Sequence, residues 1–196
     1  MKLRPEDLAD AVGRTIPDVA APGLRVLFCG INPGLVSGAL GQHFARPGNR
    51  FWKVLYASGL TDRLVAPSEQ QVLLDYGLGI TNLVPVTSRA ASDLTAAQLR
   101  HGATALERKV ASLRPRFVAV LGMQAYRSGF RRPGATIGLQ PDNLATSHVW
   151  LLPNPSGLQA RYGFQEMVAM FAELRRAAYS AVTSSDTSML PRVAFE

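Results

Sequence analysis

The sequence predicts an α/β fold, a three-layer α/β/α sandwich around a central, mainly parallel sheet of about four strands. Four short apolar segments alternate along the chain with segments of helical periodicity, and Gly and Pro separate them. Continuously apolar strands are typical of a sheet that is covered on both faces. A length of 196 residues, 47% of them hydrophobic, fits one compact domain.

The predicted strands cover residues 25–29, 78–84, 116–121 and 148–152. Predicted helices cover residues 49–58, 68–76, 95–113, 124–130 and 164–179. Thr95 and Gln98 are spaced as a capping box at the start of the longest helix. Asp93 therefore has no predicted capping role.

The ends of the chain differ from its centre. A short helix over residues 4–12 is followed by Pro17, Pro22 and Gly23, which predicts an N-terminal extension over residues 1–21. The main domain is expected to cover residues 22–179, and the Ser- and Thr-rich residues 180–196 are expected to form a flexible tail.

Charge and composition narrow the partners. The chain has 21 Lys and Arg against 14 Asp and Glu, a net charge of +7, which favours a polyanionic partner. No segment approaches the roughly 18 apolar residues that a membrane helix needs, and no signal peptide is evident. We therefore expect no membrane contact and a cytoplasmic location.

Candidate metal ligands and nucleotide motifs are sparse. Cys29 is the single cysteine, and the three histidines are far apart in the sequence. We expect neither a metal nor a cofactor. The sequence has no G-x-x-x-x-G-K-[ST] motif and no G-x-G-x-x-G motif after a strand, which argues against a nucleotide hydrolase or kinase.

Three unusual loops follow predicted strands, at residues 30–34, 85–93 and 153–157. If the strands are parallel, these loops meet at one edge of the sheet. Each of Asn32 and Asn154 precedes a proline, which favours an extended backbone and sets the angle of the amide. Asn32 could orient a water, and Asn154 could bind backbone or a phosphate; a plain Asn-Pro turn is the alternative for both.

The segment 41–52 combines aromatic residues with Arg46 and Arg50, a mixture expected where a base stacks and phosphates are neutralised. Phe51 and Trp52 are assigned to the core. Phe44 is the candidate for stacking on a base, with a core position as the alternative.

Three motifs in this order carry a family resemblance: GINPG at 30–34, FARPGNRFW at 44–52 and LPNPSGL at 152–158. Together they resemble the mismatch-specific uracil DNA glycosylases, the Mug and thymine DNA glycosylase branch of the uracil DNA glycosylase superfamily. The likeness runs from about Pro22 to about Ala178. It implies a monofunctional enzyme that flips uracil out of G:U mismatched double-stranded DNA and hydrolyses the N-glycosidic bond, with thymine in G:T mismatches and damaged pyrimidines as further candidate substrates.

The resemblance also implies roles for individual residues. Asn32 would place the attacking water, Phe44 would stack on the base, and Ile31 would line the pocket. Gly34 stands where the strict uracil enzymes carry a Tyr that blocks a 5-methyl group. The residues expected to contact DNA are Ser156, Gly157, Leu158, Gln159 and Arg161, with Leu158 as the wedge in the gap left by the base and Arg161 on a phosphate.

Two further expectations concern catalysis and assembly. Gln159-Ala160-Arg161 departs from the Ser and Arg that commonly follow the Leu in the family, which bears on the strictness of guanine dependence. We hypothesise that Asp93 assists Asn32, either by activating the water or by stabilising the cationic sugar. The alternative is a solvated loop carboxylate. The chain is expected to act as a monomer, and a non-catalytic module that binds lesions or mismatches is the alternative function.

Overall fold

A computed structural model describes residues 3–156 and 161–180. Its centre is a five-stranded sheet in the order β2-β1-β3-β5-β4. The strands are β1 (Val26–Gly30), β2 (Leu78–Asn82), β3 (Phe117–Leu121), β4 (Gly138–Leu144) and β5 (Ser147–Leu152). β1, β2, β3 and β5 are mutually parallel, so the predicted α/β class with a mainly parallel sheet is confirmed.

The strand missing from the sequence prediction is β4, which pairs antiparallel with β5 at the edge of the sheet. Its sequence, GLQPDNL, lacks an apolar run, and only Gln140 and Leu144 are buried. The pairing shifts register between Leu139 and Asn143, around Pro141, which has no N–H to donate. Hydrophobic periodicity is therefore a poor signal for this strand.

The helices are α1 (Pro5–Ala9), α2 (Leu35–Leu40), α3 (Phe51–Ala57), α4 (Ala96–Leu113), α5 (Met123–Gly129) and α6 (Phe164–Tyr179), with 3₁₀ segments at Pro67–Tyr76 and Ala91–Asp93. Thr95 caps α4 as predicted, accepting from the N–H of Gln98 at 3.2 Å. The helical stretch predicted over 68–76 is present as a 3₁₀ helix, and the short α2 was missed. None of the described helices is long and apolar enough to span a bilayer.

Two apolar clusters fill the two faces of the sheet and make three layers. On one face α3 and α6 pack through residues such as Phe51 and Phe171 against Phe28 of β1. On the other face α4 packs through Leu99, Ala103, Leu106 and Val110, which is the stripe that the sequence predicts. Alternate residues of each strand thus face helices on opposite sides of the sheet. The carboxyl ends of the parallel strands lead into loops.

The N-terminal segment is fastened to the sheet, so its predicted separation as an extension does not describe the packing. Val19 exchanges both backbone hydrogen bonds with Ile80 of β2, at 2.9 and 2.7 Å. Asp18 forms an ion pair with Lys109 of α4 and accepts from the hydroxyl of Thr81 at 2.9 Å. The proline-rich composition hid these contacts. Of the predicted tail, all but Ser180 lies outside the described residues.

Candidate active site

A cleft of about 280 Å³ opens at the carboxyl ends of β1, β2 and β5. Asn32 follows β1 and Asn154 follows β5, and both line the cleft, so the two Asn-Pro loops converge on one edge as the sequence predicts. The candidates that the cleft brings together are Ile31, Asn32, Gly34, Phe44, Asn154 and Ser156. Residues that sequence reasoning had not singled out also line it, among them Gly30, His43, Asn82 and Ser88.

The side chain of Asn32 is held in one orientation. Its Nδ2 donates to Ser88 Oγ at 2.8 Å and to the Pro33 carbonyl at 3.1 Å. The Ser88 hydroxyl donates its own proton to the Ala90 carbonyl at 2.7 Å, so its oxygen must accept from Asn32. Both amide protons are therefore engaged, and no group of the described residues donates to Oδ1. That oxygen is available to accept from a water in the cleft.

Phe44 combines the two roles that the sequence left open. One side of its ring stacks on Phe51 with centroids 4.1 Å apart, which joins it to the core. The same ring lines the cleft and is only partly buried. Its backbone has a φ of 54°, a left-handed conformation that costs a residue with a side chain about 1–2 kcal/mol. Such strain at a cleft wall is consistent with a ring placed for a ligand.

Gly30 ends β1 where two side chains approach its backbone. A Cβ at this position would lie 2.7 Å from Asn82 Oδ1 and 3.2 Å from Phe44 Cζ. A larger residue at this position would require the Asn82 or Phe44 side chain to shift. Sequence reasoning missed Asn82 because the predicted strand runs on to residue 84, whereas β2 ends at Asn82, at the edge of the cleft.

Ile31 and Gly34 shape the entrance beside Asn32. The Ile31 side chain packs over Gly122, and its carbonyl accepts from the Val84 N–H at 2.8 Å. Gly34 is exposed at the start of α2, and a Cβ there would meet nothing within 4 Å. The space beside Gly34 is therefore open to a substituent on a bound molecule.

The loop after β5 is fixed by Arg50. Its Nη1 donates to the Tyr162 carbonyl at 2.7 Å, its Nη2 to the Ser156 carbonyl at 3.5 Å, and its N–H to the Pro155 carbonyl at 3.0 Å. Asn154 Oδ1 accepts from the Ser156 N–H at 3.0 Å, which is the backbone contact expected of it. Arg50 thus organises the loop, where the sequence suggested a phosphate contact. Gly157, Leu158 and Gln159 lie outside the described residues.

Asp93 is exposed and does not border the cleft, although Ala90, Ala91 and Ser92 do. Its Oδ2 accepts from the Ala90 N–H at 2.9 Å and caps the 3₁₀ segment Ala91–Asp93. The expectation that Asp93 has no capping role is therefore wrong, because no pattern in the sequence indicates a helical turn before α4. Its position favours a structural role for the carboxylate.

Comparison with known proteins places this fold and cleft in a family. Residues 17–176 match the model of the uracil DNA glycosylase superfamily. The chain is a member of the uracil DNA glycosylase superfamily. A solved structure of a candidate uracil DNA glycosylase from Methanosarcina acetivorans is similar at a TM-score of 0.52 and 22% identity, covering 84% of this chain and 99% of that one. That likeness shows the α/β fold, and the family match supports a DNA glycosylase activity.

Arginine side chains lie at the rim of the cleft in this superfamily member. Arg46 and Arg89 both line the cleft and are exposed. No carboxylate within residues 3–156 and 161–180 forms an ion pair with either of them. Arg161 is exposed 5.7 Å from the centre of the Tyr162 ring. The cleft of this glycosylase family member therefore has a positively charged rim.

The buried titratable groups near the sheet are held uncharged. Burial raises the pKa of the Cys29 thiol to about 12, so this cysteine is not a nucleophile at neutral pH. Burial also lowers the pKa of His43, outweighing the Pro17 carbonyl and Asp18, which act in the opposite direction. No group of three or more His, Cys, Asp or Glu that could hold a metal occurs among the described residues.

The lowered pKa of His43 predicts a loss of stability in acid. A histidine in the unfolded chain has a pKa of about 6.5, so below that pH the unfolded chain binds a proton that the buried ring of the folded chain does not bind. The free energy of unfolding therefore decreases as the pH falls from about 6.5 toward the lowered pKa of the folded state. Urea titrations across this interval should show a shallower pH dependence in His43→Phe. The exposed His101 provides the control, His101→Phe, and an equal slope in both variants would contradict the assignment.

Proposed function

We propose that this protein hydrolyses the N-glycosidic bond of uracil in mismatched double-stranded DNA and leaves an abasic site. The observation that carries the proposal is the amide of Asn32, whose two protons are engaged while its oxygen remains available in the cleft. A binding module has no need of a fixed acceptor for water. The family match and the cleft wall formed by Phe44 support the same activity.

The proposed reaction begins when a nucleotide leaves the helix, since its glycosidic carbon is inaccessible in the stack. The base rests on Phe44, and Asn32 Oδ1 accepts a hydrogen bond from the attacking water. The water oxygen bonds to C1′ as the C1′–N1 bond breaks, and its electron pair leaves with the base. The released proton passes to solvent or to the base, because a neutral amide is not a strong base. Free uracil and an abasic sugar are the products.

The proposed substrate range extends to thymine because of Gly34. The open space at Gly34 would accommodate a 5-methyl group. We expect Gly34→Tyr to lower thymine excision by about 100-fold relative to uracil excision, since the ring would occupy the methyl position. Single-turnover rates on G:T and G:U duplexes measure the ratio. The control Gly34→Ala should leave the ratio unchanged, and an unchanged ratio in the tyrosine variant would exclude this position as the filter.

Arg46 and Arg89 are proposed to contact phosphates that flank the flipped nucleotide. Each phosphate contact releases counterions, so its loss lowers the slope of log affinity against log salt by about 1. We expect this change in Arg46→Ala and in Arg89→Ala, with weaker binding to every sequence. Fluorescence anisotropy at several salt concentrations measures it. Arg108→Ala on the exposed side of α4 is the matched control, and a slope equal to the control would contradict the contact.

Mismatch recognition is proposed for the segment after β5. Leu158 would enter the gap left by the base, while Ser156, Gly157, Gln159 and Arg161 would contact the DNA around it. The fixation of Ser156 and Tyr162 by Arg50 supports this proposal, because it anchors the chain on both sides of the segment. Leu158→Ala should then slow excision from duplex DNA more than from a single strand.

The deciding experiment is an abasic-site assay with purified protein and no added metal. Oligonucleotides with G:U, G:T, A:U and single-stranded uracil are incubated and then cleaved at abasic sites with alkali. Release of uracil from G:U duplex is the expected result. Tight binding to mismatched duplex without any base release would instead establish the non-catalytic binding module.

A further inference from the structure

A short stretch of the N-terminal segment, residues 13–15, runs beside the loop that follows β2, and we call it the N-terminal strap. The Gly13 N–H donates to the Thr87 carbonyl at 3.1 Å, and the Thr87 N–H donates to the Arg14 carbonyl at 2.8 Å. The same two segments form an antiparallel bridge one residue further along the strap. Both backbone polar groups of Thr87 are therefore bonded to the strap.

The strap is the first of three adjacent backbone segments, the third of which carries Asn32. The Ser88 N–H donates to the Pro33 carbonyl at 3.2 Å, and Ser88 forms a parallel bridge with Gly34. The Ser88 hydroxyl accepts from Asn32 Nδ2 at 2.8 Å. Because Thr87 is bonded to the strap and Ser88 to Asn32, two consecutive residues link the strap to the amide in the cleft.

The side chain of Thr87 does not replace these backbone bonds. It is buried against α2, where a Cβ at Gly38 would lie 2.5 Å from its Oγ1. Its hydroxyl has no hydrogen-bond partner among the residues that the structure describes. At this point the loop is therefore held by packing and by its two backbone bonds to the strap.

Buried residues on both sides anchor the strap. Ala11 precedes it and Ile16 follows it, and both are almost fully buried. At the start of the strap Gly13 has a φ of 79°, a left-handed conformation that favours glycine. A Cβ at Gly13 would meet nothing within 4 Å. A larger residue there would therefore act on the strap through its backbone preference.

We propose that the N-terminal strap is a positioning element of the reaction centre, which holds Ser88 in place and through it fixes the amide of Asn32. Its consequence for excision rests on the proposed function. Displacement of the strap would deprive Thr87 of two backbone partners and let the Ser88 hydroxyl move away from Nδ2. The Asn32 oxygen would then lose its fixed direction toward the water. The strap precedes residues 17–176, so this positioning element lies outside the region that matches the family model.

The first test follows the Asn32 amide and needs no activity. Gly13→Val places a β-branched residue at a left-handed position. Gly23→Val is the matched control, since Gly23 has a φ of 72° in equally open surroundings and precedes β1 at the opposite edge of the sheet. Hydrogen exchange of the side-chain amide protons is measured by NMR in protein labelled with ¹⁵N. We expect exchange at Asn32 to be about 10-fold faster in Gly13→Val and unchanged in Gly23→Val.

The second test measures excision. Single-turnover rates on G:U duplex should fall about 10-fold in Gly13→Val and stay unchanged in Gly23→Val. Affinity for the duplex should be equal in the two variants, because neither changes a charge. In a Ser88→Ala protein, which already lacks the acceptor, Gly13→Val should cause little further loss. A merely structural role of the strap would give the same loss with and without the Ser88 hydroxyl.

Two outcomes would overturn the inference. One is equal exchange at the Asn32 amide in Gly13→Val and Gly23→Val, and the other is a loss of rate that is absent or is the same with and without the Ser88 hydroxyl. If Gly13→Val does not fold, Gly13→Ala and Gly23→Ala give the same comparison with less strain. If the unaltered protein releases no uracil from G:U duplex, the proposed function fails, while the exchange measurement still decides the role of the strap.

Discussion

Replacing Asn32 by alanine is expected to lower single-turnover uracil excision by about 10²–10³-fold, the loss typical of removing one preorganised polar group from a reaction centre. Affinity for uracil-containing duplex should change little, because in the proposed mechanism Oδ1 orients a water and holds neither base nor phosphate. Rapid-quench excision assays and anisotropy on the same variant separate the two effects.

Controls for Asn32 come from its own hydrogen bonds and from a distant asparagine. Ser88→Ala removes one of the two acceptors that fix the amide, so we expect a smaller loss in the same direction. Asn143→Ala, on the exposed edge of the sheet, should excise uracil normally. Asp93→Ala should also stay active if its carboxylate only caps the 3₁₀ turn. Full activity in Asn32→Ala would remove the basis of the proposed mechanism.

Gly102→Ala is expected to destabilise the fold by about 1–3 kcal/mol, the usual cost of overpacking a filled interior. Helix propensity alone predicts the opposite sign, because alanine is favoured over glycine by about 1 kcal/mol within a helix. In α4, however, a Cβ at Gly102 would lie 2.2 Å from the Leu83 carbonyl oxygen. Backbone cannot yield as a flexible side chain can. Chemical unfolding measures the difference.

Gly134 supplies the matched control for this change. A Cβ at Gly134 would meet nothing within 4 Å, and its φ is not in the left-handed region. Gly134→Ala should therefore be neutral or slightly stabilising. Because Leu83 directly follows Asn82, any backbone shift caused at Gly102 also reaches the cleft, and uracil excision should fall together with stability. A stabilised Gly102→Ala protein would show that α4 can move away at little cost.

The parts of the fold that the sequence predicts are those with strong apolar periodicity. Four strands and the α4 stripe follow from runs of branched residues with one clear reading. Parallel strands also place loops that are distant in sequence at one edge of the sheet. The sequence therefore predicts that Asn32 and Asn154 lie at the same edge. The exposed strand β4 carries no such pattern, since its pairing depends on backbone atoms and on its neighbour β5.

The hydrogen bonds that orient the side chains of the cleft could not be predicted from the sequence, for a different reason. Ser88, His43 and Asn82 act through side-chain hydrogen bonds whose direction depends on tertiary distances. His43 is separated from Pro17 by 26 residues and from Asn82 by 39. No spacing rule connects such positions. The loop over 85–93 is expected at the active edge, but the sequence does not show that Ser88 lines the cleft while Asp93 does not.

The two borders of the sheet have a consequence for solubility. The unpaired backbone groups of an edge strand can pair with a strand of another chain, which leads to aggregation. At β2 the outward backbone groups of Ile80 are already taken by Val19. At β4 the register shift around Pro141 and the charge of Asp142 interrupt any regular ladder. Truncation of the chain before Pro22 would expose the edge of β2, and light scattering should then detect more self-association than in the full chain.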